Sequence, residues 1–166
     1  MIELHWSDAL SMDLSVMDDT HREFVDLLAV VASAGDERLV AAWAALVQHT
    51  EGHFGQEDRW MRLARFASVN CHATQHRVVL DVMREGLAAG RAGGLDVIRQ
   101  LAHDLAIWFP QHAQGMDAAL ALHLRGLGFD VASGELAHPE RLPRDEITGC
   151  GSGECSPRQA DAAHPA

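Results

Sequence analysis

Tyrosine is missing from the 166 residues of this chain, and five phenylalanines and four tryptophans make up the rest of that aromatic class. The absence removes any tyrosyl-radical role. Positive charge is scarce as well: 13 Lys and Arg stand against 24 Asp and Glu, a net charge of -11. A nucleic-acid binder needs the opposite balance, and an anionic membrane surface would repel this chain, so neither is expected as a partner. No uninterrupted apolar run approaches the roughly 18 residues of a membrane span, and the N-terminal MIELHWSDALSMD has no basic region ahead of an apolar one. A soluble, cytoplasmic, monomeric protein is the expectation. Cysteine is sparse and odd in number: Cys71, Cys150 and Cys155 are spread over core and tail and make no secreted disulfide framework.

Against these absences stand 11 histidines, several at helical spacings. The length suits one domain with a proper core. Residues 1–17, with Trp6, Leu10, Leu14 and Val16, lack sustained periodicity and read as an arm packed on that domain. Four helical patterns follow, at about 19–33, 37–64, 68–89 and 94–125. Asp18 or Asp19 suits the cap of the first and Asp36 that of the second, while Gly35, the GRAGG run and RGLGFD are stops. Long helices with short connections predict an all-α, up-down-up-down four-helix bundle over residues 1–130. Over 131–166 the composition shifts to Gly, Pro, Ser and charge, which reads as a flexible C-terminal tail.

The apolar stripes carry polar residues where a core would not want them. The first includes His21 beside Phe24, Val25 and Leu28; the second runs through Leu46, Thr50, His53, Glu57 and Trp60. The third places His72 and His76 ahead of Val79 and Met83, and the fourth reaches Leu105, Trp108 and His112, with Asp117 five residues further on. On a helix, residues four apart share a face, so His53 and Glu57 point the same way, as do His72 and His76. An unpaired polar group in a core costs roughly 1 to 3 kcal/mol, and a charge costs more. Five imidazoles and two carboxylates converging from four helices suit iron, zinc, copper or manganese, and exceed what one small ion can use. Two ions are implied. Five imidazoles, two bridging carboxylates and one solvent-derived bridge fill all but one position of two octahedral ions, and one vacancy is what a diatomic ligand needs.

The spacing from His112 to Asp117 breaks the pattern. Five residues at about 100° each leave Asp117 roughly 140° from His112 on a regular helix. Both reach one site only if the helix is locally unwound, for instance by a π turn, which Gly115 would ease and a Pro110 kink would accompany, or if Asp117 reaches in from the flank. An irregular helix near 106–117 is therefore predicted. His49, one turn before His53, falls on the flank of the seam and is expected at the surface or behind a ligand. His5, His103, His123, His138 and His164 have no matching partners and are expected in solvent.

The order His21, then HFGQE, then HATQH, then HAQGMD resembles the hemerythrin family, in particular its single-domain bacterial members. The likeness extends over about residues 4–126 and takes in Trp6, the VMDDTH run and WFPQH. It implies a non-haem, oxo- or hydroxo-bridged pair of iron ions. His72, His76 and His112 would hold one iron, His21 and His53 the other, with Glu57 and Asp117 bridging. It further implies that dioxygen is bound reversibly at the iron held by two histidines, for storage, delivery or sensing, with no catalysed reaction. Phe24, Phe54, Trp108, Phe109 and Ala113 would then wall the oxygen pocket, ordinary core packing being the alternative for each. Two positions depart from or complete the family pattern: Ala113 stands where a bulky aliphatic is usual, and Asp58 supplies the second acidic residue after Glu57.

Two other classes share the same centre. One is a di-iron enzyme with peroxidase-like or nitric-oxide-handling activity. The other is a redox or oxygen sensor that signals through Cys150 and Cys155. The dominance of histidine disfavours oxygenase chemistry, whose sites are usually rich in carboxylates with Glu-x-x-His pairs.

Overall fold

The computed structural model describes residues 4–66, 71–145 and 147. Its order is an arm with one short 3-10 turn at Asp8–Leu10, then α1 (Ser15–Ser33), α2 (Asp36–Leu63), α3 (Cys71–Arg91) and α4 (Leu95–His112). A π-helical turn, Ala113–Asp117, joins α4 to α5 (Ala118–Leu127), so the last two helices form one long, irregular rod. Successive helices pack side by side and α4 closes on α1, which makes the four-helix bundle. Among the described residues no strand forms beyond two isolated bridges, and no helix is long and apolar enough to cross a membrane.

The apolar stripes face inward as their periodicity dictates. Leu28, Val31, Leu39, Trp43, Leu46, Met83, Ile98, Leu120 and Leu124 are all buried in one cluster. Trp43 fits because its indole N–H donates to the Met83 carbonyl at 2.9 Å, which removes the cost of burying that polar group. At Gly86 and Gly90 of α3 a β-carbon would collide with Leu101 and Ile98, so these glycines set the close approach of α3 to α4. The π turn falls inside the stretch where the His112–Asp117 spacing predicted irregularity. Because it absorbs one extra residue, Asp117, Leu120, Leu124 and Leu127 are all buried.

Helix caps differ from their sequence assignments. α1 begins at Ser15, four residues before Asp19, and Asp18 lies inside its first turn. There the Asp18 carboxylate accepts from the Met12 amide at 2.6 Å and the Ser11 hydroxyl at 2.7 Å, so it clasps the arm and caps no amide of its own helix. Asp36 opens α2 but makes no cap bond; it takes the guanidinium of Arg99 at 2.5 Å. The arm itself is anchored by Leu10 and Met12, both buried, by Arg125 donating to the Met12 carbonyl, and by Trp6 stacked under Arg22.

After α5 the chain turns back through Gly128, in the left-handed conformation at φ 59°, and its first part is folded. Phe129 and Leu136 form an antiparallel bridge, and Ile147 bridges in parallel to Phe66. The segment whose composition reads as loose is thus packed as far as it is described; Cys150, Cys155 and His164 lie outside the described residues.

Candidate metal centre

The seven polar seam residues meet in one place. His21 comes from α1, His53 and Glu57 from α2, His72 and His76 from α3, His112 from the end of α4, and Asp117 from the π turn; all seven are buried. They lie toward the end of the bundle where α2 stops and α3 starts, and none is more than 4% exposed.

The two carboxylates divide the imidazoles between them. Glu57 Oε1 lies 3.0 Å from His53 Nε2 and 3.8 Å from His21 Nε2, while its Oε2 lies 3.5 Å from His72 Nε2 and 3.3 Å from His76 Nε2. Asp117 repeats the arrangement: Oδ2 is 3.3 Å from His21 Nε2, and Oδ1 is 3.0 Å from His72 Nε2 and 3.2 Å from His112 Nε2. Two donor groups result, Glu57, His72, His76, His112 and Asp117 on one side and His21, His53, Glu57 and Asp117 on the other. In each, the donor atoms lie within 4.8 Å of one another. Each carboxylate presents a separate oxygen to each side.

These close approaches do not satisfy the atoms involved. Both nitrogens of His21 and of His72, Nδ1 of His53, Oε2 of Glu57 and both oxygens of Asp117 are buried without a hydrogen-bond partner. So many orphaned polar atoms around one point is unusual in a core and is the pattern that a bound cation resolves. The donor set, imidazole nitrogen with carboxylate oxygen, suits first-row transition metals.

Charge in the metal-free chain is balanced by protons. Burial pushes Glu57 upward, but His53, with His21 and His72, outweighs it and holds the carboxyl well below its usual range. Asp117 is pushed up by burial and by Glu57, yet His112 and His21 hold it well below the usual range too. Burial lowers His21, and Asp117 and Glu57 more than reverse this, raising it to about 10; the same opposition raises His72 to about 9. His76 rises against burial through Asp58 and Glu57, whereas burial prevails at His112 and lowers it. Protons on imidazole therefore stand where cations would, and a metal entering the site must displace them.

Behind the donors lie residues whose role was not legible from spacing alone. His76 Nδ1 donates to Asp58 at 2.8 Å, and His112 Nδ1 to the Gln75 side-chain oxygen at 3.2 Å. Each bond leaves Nε2 aimed inward. The order in HATQH holds a clue to Gln75, which immediately precedes a donor on the same helix. His49, assigned to the flank, bonds through Nε2 to the Thr20 carbonyl at 3.1 Å and stands 6.1 Å from the His53 ring. His123 departs from its assignment to solvent: it is half-buried, donates to the Ala64 carbonyl at 2.9 Å and stacks on Phe66.

The aromatic wall is split by the structure. Phe109 meets His21 edge-on at 5.2 Å and stacks on Phe24 at 4.3 Å, so this pair encloses the side with two histidines. Phe54 stacks on His76 at 4.0 Å while also touching His53, and Trp108 stacks on His112 at 4.5 Å, on the side with three. Trp108 therefore lies away from His21 and His53, the pair beside which an oxygen pocket was expected. Ala113 is fully buried at the start of the π turn.

A family model described as the hemerythrin HHE cation binding domain matches residues 12–122. Among curated proteins, the chain is 35% identical over 128 residues to a bacteriohemerythrin of Ralstonia nicotianae, covering 77% of this chain and 93% of that one. It is 28% identical over 125 residues to a bacteriohemerythrin of Stenotrophomonas maltophilia, covering 73% and 81%. A bacteriohemerythrin of Pseudomonas aeruginosa is likewise 28% identical, over 122 residues, covering 71% and 79%. No solved structure matches the chain.

Proposed function

The chain belongs to the hemerythrin family, and from that premise we propose that it holds two iron ions and binds dioxygen reversibly, for storage, delivery or sensing. One observation carries the reading: Glu57 and Asp117 each turn one oxygen toward His21 and the other toward His72, with His53, His76 and His112 completing the two sides. Under this reading His21 and His53 would hold one ion, His72, His76 and His112 would hold the other, and Glu57 and Asp117 would serve both. A bound iron pair would supply the electrons that reversible dioxygen binding needs.

The chain's own contribution is to hold, seal and limit. Asp58 and Gln75 fix the rings of His76 and His112, so that their Nε2 atoms stay inward. Phe24 and Phe109 close the side of His21 with apolar surface, which keeps out the water and protons that would release reduced oxygen. Five neutral imidazoles against two carboxylates make a less electron-rich set than the Glu-dominated sites that oxidise substrates. That balance favours a carrier over the peroxidase-like alternative.

The deciding experiment loads the chain with ferrous iron without air, quantifies the metal, admits air and then sparges with argon while the visible spectrum is followed. Two irons per chain and a spectrum that cycles support the carrier. Irreversible bleaching accompanied by peroxide consumption favours the enzyme, and uptake of no iron removes both.

A further inference from the structure

The segment after α5 lies beyond residues 12–122, the span of the family match, and it is tied to the bundle at both ends. At its near end the Ala137 and His138 amides donate to the Gly128 and Leu127 carbonyls, each at 3.0 Å, and Arg141 donates to the Gly126 carbonyl at 3.1 Å. Asp130 closes the intervening turn by accepting from the Ala132 and Ser133 amides. At its far end it reaches the exit of α2 and converges on one residue, Arg65.

Arg65 is in an unusual position. It follows the end of α2 with φ at 51°, the left-handed conformation in which glycine is the ordinary choice, and the Phe66 amide completes the helix stop by donating to the Met61 carbonyl at 2.8 Å. Its guanidinium Nη1 donates to the Pro143 carbonyl at 3.1 Å and the Arg144 carbonyl at 3.2 Å, and its own carbonyl accepts the Ile147 amide at 3.1 Å. The residues on either side are held from α5: His123 donates to the Ala64 carbonyl and stacks on buried Phe66. Backbone strain that glycine would relieve is retained at a residue whose side chain grips the returning chain.

We infer that residues 128–145 together with Ile147 form a strap that fixes the exit of α2, and that Arg65 is thereby a positioning residue for His72. His72 is the second residue of α3 and follows Phe66 by six positions. It therefore sits in a first helical turn, whose amides lack helical acceptors and which frays most easily. His53 and Glu57 lie well inside α2 and need no such help. A donor on a helix end depends on the chain feeding that end, and the strap holds Arg65, beside Phe66, the last residue described before α3. The effect on metal retention rests on the reading of His72 as a ligand; the effect on the start of α3 does not.

Two full-length variants test this. Arg65→Gly removes the grip while relieving the backbone, and Ile147→Pro keeps Arg65 but removes the amide donor. Amide hydrogen exchange at residues 72–76 is measured in the metal-free chain, together with the rate at which a chelator strips ferrous iron from the loaded chain. Both variants are expected to exchange faster at the start of α3 and to lose metal from the side with three histidines on the order of tenfold faster. Arg65→Gly should do so with an unchanged or higher thermal midpoint, a combination that general destabilisation cannot produce. Wild-type exchange and release in both variants overturn the strap. If Ile147→Pro does not fold, Arg65→Gly alone decides, and if the wild-type chain takes up no iron, exchange still decides the strap while the functional reading falls.

Discussion

On the side of the centre formed by His72, His76 and His112, two imidazoles are held from behind, by Asp58 and by Gln75, and clamped by the rings of Phe54 and Trp108. On the side of His21 and His53 neither Nδ1 has a partner, and support comes from the apolar edges of Phe24, Phe109 and Phe54. The two sides share both carboxylates and differ in what stands behind the histidines. An outer hydrogen bond fixes a ring's direction and raises its basicity, so it suits an ion whose ligands never change. Rings held only by packing adjust their tilt more freely, which suits an ion that gains and loses a ligand. The asymmetry of outer support thus runs parallel to the count of three histidines against two.

Removing a shared group should erase the comparison altogether. Glu57→Ala takes a donor from both sides and leaves the facing imidazoles uncompensated, so iron content is expected to fall from the proposed two per chain to below one by metal analysis. Asp58→Ala should instead sharpen it, weakening only the side of His76 by roughly 10- to 100-fold. Chelator competition would then resolve two phases where the wild type shows closer affinities; equal weakening of both would mean that outer support does not distinguish the sides.

The pH dependence probes the protons that both sides hold. With His21 raised to about 10 and His72 to about 9, the stability they lend the metal-free chain is fully present below their unfolded value of 6.5 and is lost as pH rises through 9 and 10. Glu57 and Asp117 are held low, so their contribution is present above 4.5 and 3.8 and is lost as pH falls further. Urea titrations of the metal-free chain should therefore show a plateau between acid and alkaline declines. Metal uptake, which displaces imidazole protons, should strengthen with pH and release protons measurable at constant pH. The smallest effect is expected at Ala113, where Ile overfills a fully buried position at about 1 to 3 kcal/mol. If Ala113 leaves room beside the centre, Ala113→Ile also slows autoxidation, and an unchanged rate counts against that role.

Much of the bundle and the donor set could be read from the chain because helix period converts spacing directly into facing. His53 with Glu57, and His72 with His76, needed only the four-residue rule. The break at Asp117 is also visible in a second sign: the stripe of Ile98, Leu105 and His112 recurs every seven residues and then resumes at Leu120 and Leu127, one residue late. What the chain did not reveal were contacts between elements far apart in sequence. Gln75 behind His112, Asp18 clasping the arm, His123 on Ala64 and the docking of residues 128–145 and Ile147 each depend on where a second element lies, and no local period encodes that. Composition alone does not show that docking, because apolar residues that pack against the core, among them Val131, Leu136, Leu142 and Ile147, are scattered through a polar, glycine-containing segment with no regular period.

The π turn also constrains any attempt to move this centre into another scaffold. A bundle built from ideal helices has no place for Ala113–Asp117, and the same sequence threaded onto a straight rod would swing Asp117 about 100° away from Glu57. Leu120, Leu124 and Leu127 would leave the core with it. A designer would have to copy the irregularity along with the donors, or draw the aspartate back one position to stand after its histidine as Glu57 stands after His53.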